Sequence, residues 1–148
     1  MALPTTLTGV AFPPEKSDHG PFISSAGNVY IVLRDSVTTS NLVVHKATDP
    51  TSSFSEADAA DAPDVGAAID SLSSFQVADV IHIATWAKAD PEVRYHTFNM
   101  ATDQWGTVNE TVEDLANRPT IGGSKRVSIV VRSNGVPVIQ YSGSFDAL

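Results

Sequence analysis

The chain has 148 residues, no cysteine, and a net charge of −8 from 9 basic and 17 acidic side chains. That balance opposes phosphate binding as the main task, because affinity for nucleic acid rests on basic neutralisation of its backbone. Disulfides and thiolate metal sites are excluded, and no apolar run approaches the roughly 18 residues that a membrane helix needs.

At this length a single domain, 1–148, is expected, and 42% hydrophobic residues suffice for its core. Met1–Lys16 is rich in Pro and Thr. No basic region there leads into an apolar stretch, so a secretory signal is not expected. Leu7–Phe12 reads as one extended strand within an N-terminal arm, 1–19. Ser17–Gly27 reads as turn, short strand, turn, anchored by Phe22 and Ile23.

The next stretch is written more than once. Asn28–Phe54 (NVYIVLRDSVTTSNLVVHKATDPTSSF) aligns without a gap on Asp79–Trp105 (DVIHIATWAKADPEVRYHTFNMATDQW), at an offset of 51 residues. Val29 meets Val80, Leu42 meets Val93, Val44 meets Tyr95, His45 meets His96 and Phe54 meets Trp105. A third copy starts at Arg126 (RVSIVVRSNGVPVIQYSG), with Val127 on Val80 at an offset of 47. Each copy has a run of β-branched residues, a polar turn and a second alternating run. That is the pattern of an antiparallel hairpin packed on one or both faces. In the third copy Asn134-Gly135 predicts a tight turn with both residues at positive φ.

The segments between the copies read less clearly. Ser55–Asp64 is the most acidic, with Glu56, Asp58, Asp61 and Asp64. It reads as a solvated loop or a short helical turn capped by Ser55. A calcium loop would need the spacing D-x-[DN]-x-[DN]-G, which is missing. Ala67–Phe75 fits a helical turn or a strand. Val108–Ala116 predicts a short helix, with Val108, Val112 and Leu115 at helical spacing and Arg118-Pro119 closing it.

The predicted fold is all-β, with about three repeated antiparallel units: 20–64, 65–116 and a truncated 117–148. Repeats of this period fit propeller blades, and a small β-sandwich or barrel is the alternative. From Gly20 to Gly143 the pattern resembles the sialidase-like (BNR-type) β-propellers. That family's Asp-box reads Ser/Thr-x-Asp-x-Gly-x-x-Trp. Ala101–Thr107 (ATDQWGT) offers Thr102, Asp103 and Trp105 in a different spacing. Ala47–Phe54 (ATDPTSSF) offers Thr48, Asp49 and Phe54 without the glycine.

The resemblance implies blades, and for a sialidase it implies three arginines, a tyrosine nucleophile with a glutamate partner, and an acid/base. Arg34 and Arg132 hold equivalent repeat positions and could converge on one face as ligand-binding residues. Trp86 and Trp105 could stack on sugar rings, although packing is the commoner use of such rings. His45 and His96, equivalent in two copies, read as packing residues. No complete catalytic set, metal set or cofactor fingerprint is present.

The expected function is therefore a non-enzymatic structural or recognition module. Three units that cannot close alone would assemble with other copies or with a larger scaffold. A virion cement, fibre or tail component is one setting that fits, as is an extracellular one. The alternatives are a fragment of a sialidase-like glycoside hydrolase and a carbohydrate-binding lectin.

Overall fold

The structure is a computed structural model and describes residues 10–11, 20–49, 51–87, 92–114 and 125–143. It is all-β, in three antiparallel sheets, none closed into a barrel. Sheet one holds β1 (Val10–Ala11), β2 (Phe22–Ile23), β3 (Val29–Asp35), β4 (Leu42–Ala47) and β5 (Ser55–Ala57). Its order is β1-β3-β4-β5, with β2 also on β3. Sheet two holds β6 (Ile69–Val77), β7 (Val80–Ala87), β8 (Glu92–Asn99), β9 (Gln104–Trp105) and β10 (Glu110–Asp114). Its order is β10-β8-β7-β6, with β9 on β8. A two-stranded hairpin, β11 (Lys125–Val131) and β12 (Pro137–Gly143), completes the described chain.

Sheet two is the middle layer. One of its faces presents Ile69, Leu72, Ile81, Ile83, Ala87 and Phe98, which pack against Tyr30, Val32, Leu42 and Val44 of sheet one. The other face presents Ala84, Trp86 and Val93, which pack against Val127 and Ile129 of the hairpin. A strand buried on both faces must be apolar at successive positions rather than alternate ones. β7 obeys this: Ile81, Ile83, Ala84, Thr85, Trp86 and Ala87 are all buried. The hairpin has only one face to bury and alternates, with Val127 and Ile129 inside and Arg126, Ser128 and Val130 exposed.

The three repeated hairpins are present as β3–β4, β7–β8 and β11–β12. Their registers differ. Val29 lies opposite Ala47, whereas Val80 lies opposite Asn99 instead of Phe98, the residue that the gapless alignment would place there. A one-residue slip moves every side chain of a strand to the other face. Leu42 and Val44 therefore face sheet two, while their counterparts Val93 and Tyr95 face the hairpin. His45 lies on the far side of sheet one and His96 between the sheets, so the two are not equivalent in space.

On β3 and β7 the alignment holds, and it shows how the layers meet. Tyr30 and Val32 correspond to Ile81 and Ile83, and these four share one interface. Val127, aligned on Val80, belongs to the opposite face, and that face packs on sheet two as well. Units arranged by rotation about one axis would set each front on the next back. Here fronts meet fronts and backs meet backs, which is the layering of the small-sandwich alternative.

Three local expectations are corrected and one open choice is decided. Val108–Ala116 is not a helix: Glu110–Asp114 is strand β10, paired with β8, and residues 115 and 116 lie outside those described. Val108 and Val112 are each 41% exposed, so a helix there would have had no apolar stripe to bury. Asn109 sits at φ +53, outside the helical region. Ser55 caps no helix, because Ser55–Ala57 is an edge strand and the helical turn is a 3-10 segment at Ala59–Asp61. Ala67–Phe75 resolves as strand from Ile69 onward. The Asn134-Gly135 turn has positive φ at Gly135 only. Arg132 and Val136 close a three-residue loop in which the Gly135 N–H donates to the Arg132 carbonyl, the hairpin form that needs one left-handed residue rather than two.

The hairpin is held by small side chains. On β6, Ser71 and Ser73 are buried beneath β11. Their hydroxyls accept the backbone N–H groups of Val127 (2.9 Å) and Ile129 (3.2 Å). Two serines thus replace the carbonyls of a neighbouring strand. Replacing both by alanine orphans two buried donors, each costing about 1–3 kcal/mol. We expect Ser71→Ala/Ser73→Ala to raise the amide exchange rate of residues 127 and 129 well before that of β7. Unchanged exchange at both amides would contradict this docking mode.

Candidate functional site

The structure separates the ligand-binding residues expected from the sequence. Arg34 lies between sheets one and two, where its guanidinium donates to the Ile69 carbonyl at 3.0 Å. Arg132 is exposed beside the hairpin turn, on the other side of sheet two. The two do not converge. Trp86 is 1% exposed and meets Tyr141 edge-on, with ring centroids 5.8 Å apart. Trp105 is half-buried and packs edge-on against Phe98 at 5.2 Å. Trp86 is closed to solvent by its packing, and Trp105 packs on the core from one side.

Polar groups of catalytic type are engaged within sheet two or between the sheets. His96 is fully buried. Its Nδ1 accepts the Asn109 backbone N–H at 3.1 Å, so Nε2 carries the proton and donates to Thr85 Oγ1 at 2.9 Å. Burial, and then the Arg94 charge, push its pKa down to about 3, so the ring is neutral. Tyr30 is also fully buried. Its hydroxyl proton lies between the Met100 carbonyl at 2.8 Å and the Asp103 carboxylate at 2.7 Å. Lys46 binds the other Asp103 oxygen at 2.5 Å. Burial and the Asp103 hydrogen bond raise the Tyr30 pKa, and the Asp103 hydrogen bond raises that of Lys46. A tyrosine nucleophile needs access and a lowered pKa, and Tyr30 has the opposite of both.

Aspartates outside that network hold turns or join segments. The Asp79 carboxylate accepts the Ser25 N–H and hydroxyl, which tie β2 to sheet two. Asp49 accepts from Thr51 and Ser52 within its own turn, which lowers its pKa to about 2. In the acidic segment Asp58 accepts the Trp105 N–H at 3.0 Å. No group of three or more His, Cys, Asp or Glu able to hold a metal occurs among the described residues.

Two places face solvent with polar chemistry. On the part of sheet two that the hairpin leaves open, His82 Nδ1 lies 2.6 Å from Tyr95 Oη. Burial lowers the His82 pKa, while burial and then Glu110 raise that of Tyr95, so the pair is neutral. Phe75 and Val77, on the same face, are each 38% exposed. Alternation along VIHIAT already set His82 apart from its isoleucine neighbours. Its pairing with Tyr95 needed the register, which the gapless repeat misplaces by one.

The second place is an open depression of about 350 Å³ on the hairpin, lined by Ser73, Arg126, Val127, Ser128, Gln140, Tyr141 and Ser142. It offers a guanidinium, three serine hydroxyls, an amide and a phenol, with no carboxylate. Such a set can bind hydroxyls or an anion but holds no acid/base pair. Nothing in the sequence marked these residues beyond strand alternation. No protein-family model, curated protein or solved structure matches the chain. Among the described residues, no helix is long and apolar enough to cross a membrane.

Proposed function

We propose that the chain is a non-enzymatic structural or recognition module that assembles with other copies or on a larger scaffold. The observation that carries this reading is the outward face of the β11–β12 hairpin. Val130, Val136 and Val138 stand there 50%, 47% and 37% exposed, and Val130 and Val138 are cross-strand partners. Scattered exposed valines need no explanation, but a contiguous stripe on one sheet face marks a contact surface. The engagement of Tyr30, Lys46 and Asp103 in bonds between the sheets, and of His96 in bonds within sheet two, also supports it. The virion settings raised by the sequence, as cement, fibre or tail component, are of this kind.

A second reading, as a carbohydrate-binding module, draws on the hydroxyl-rich depression around Arg126. The resemblance to sialidases offers a third, a glycoside-acting fragment, but Arg34 and Arg132 lie on opposite sides of sheet two, and Tyr30 is closed to substrate. A glycan array and a panel of glycoside hydrolysis assays separate the three. The proposal expects no hydrolysis and no saturable glycan binding. Turnover above a heat-denatured control would overturn it, and binding lost in Arg126→Ala would favour the lectin.

A further inference from the structure

Charge is distributed unevenly over the layers. Residues 125–143 contain three of the nine basic residues (Lys125, Arg126, Arg132) and none of the seventeen acidic ones. On the outward face of the hairpin, exposed Arg126 and Arg132 flank the valine stripe. The counterpart lies across the molecule. β5, the last strand in the order of sheet one, opens the acidic segment, and its Glu56, together with Asp61 and Asp64 just beyond, is exposed. Glu56 lies opposite His45. Partial burial, and then the nearby Asp35 charge, raise the Glu56 pKa, and an incoming guanidinium would favour its charged form.

We propose that the outward face of the β11–β12 hairpin docks on the acidic β5 edge of a second copy of this chain. This rests on the reading of the chain as an assembling module and names its surface and occupant. The two surfaces lie on opposite sides of sheet two, so they cannot meet within one chain. The contact is heterologous, and repetition gives a ring or an open filament. A face of seven residues by two strands spans about 23 by 10 Å. That is small for a permanent interface, so the contact depends on salt and gains from repetition.

The test is sedimentation velocity on four samples, each checked for a wild-type thermal melt. Wild type should sediment above monomer at low salt and shift toward monomer as salt rises. The hairpin variant Arg126→Glu/Arg132→Glu and the edge variant Glu56→Lys/Asp61→Lys should each need at least tenfold higher concentration to associate. An equimolar mixture of the two should restore association, because each variant's altered surface then meets its complement. Wild-type association by either variant alone, with assembly intact, would overturn this contact and leave the module reading standing. A mixture that fails to restore assembly would overturn the heterologous pairing. A wild type that is monomeric at every salt concentration would remove both.

Discussion

Replacing Trp86 by alanine should destabilise the chain by about 3–5 kcal/mol, the range for a large aromatic removed from a packed core. Trp86 is buried between sheet two and the hairpin, among Val93, Val127 and Ile129. Its edge-on contact with Tyr141 adds to the loss from burial, since such ring pairs contribute about 0.5–1.5 kcal/mol beyond area. The cavity would open under β11, so the hairpin should also lose protection before sheet one does. Trp105→Ala should fall toward the lower end of the same range, because Trp105 is half-buried and packs from one side onto Phe98. Urea melts of the two variants check both expectations. A Trp105→Ala melt equal to wild type, with a glycan interaction lost, would move that residue from the core to a site.

Acidification is the second large effect, and His96 is its main source. In the folded chain its pKa is about 3, against 6.5 ordinarily. The unfolded chain therefore takes up a proton that the folded chain refuses. The contribution is complete above pH 6.5 and is lost as pH falls from there toward 3, at about 1.4 kcal/mol per pH unit. His45 and His82, both lowered by burial, act in the same direction. The aspartates with lowered pKa values, Asp49, Asp64 and Asp79, start from 3.8 and act below that, and Glu56, raised from 4.5, acts in the opposite sense, so the histidines supply the fall between pH 7 and pH 5. Stability from urea melts should fall by about 2 kcal/mol or more across it. His96→Gln, which keeps an acceptor for the Asn109 N–H and a donor for Thr85, should flatten the slope. A flat profile for the wild type would contradict the buried neutral imidazole.

Strands were legible because burial writes itself into a sequence. The apolar runs at Val29, Val80 and Val127 each became the first strand of a hairpin, and the acidic stretch after the first became an edge strand and a turn. The face of each second strand was not legible. It depends on a one-residue difference in register between β3–β4 and β7–β8, which composition does not show. His45 and His96 therefore seemed equivalent, although one lies outside sheet one and the other between the sheets. The false helix at Val108 had another cause: spacing alone does not show that Val108 and Val112 stay exposed, and Glu110–Asp114 pairs with β8 across a bulge between Thr111 and Glu113.

The site was least legible for the same reason. Arg34 and Arg132 share a repeat position, but the layers turn front to front and back to back, which sends them to opposite sides of sheet two. The sequence did show what the depression lacks. Residues 125–143 include no acidic residue, and a depression built on their hairpin holds no carboxylate.

The mass of the native chain in solution tests the assembly reading most directly. Native mass spectrometry and light scattering at micromolar concentration and low salt should give multiples of the 15.6 kDa chain, with the distribution moving upward as concentration rises. A mass of one chain at every concentration, with a sharp and reversible melt, would contradict it and mean that the three layers are sufficient by themselves.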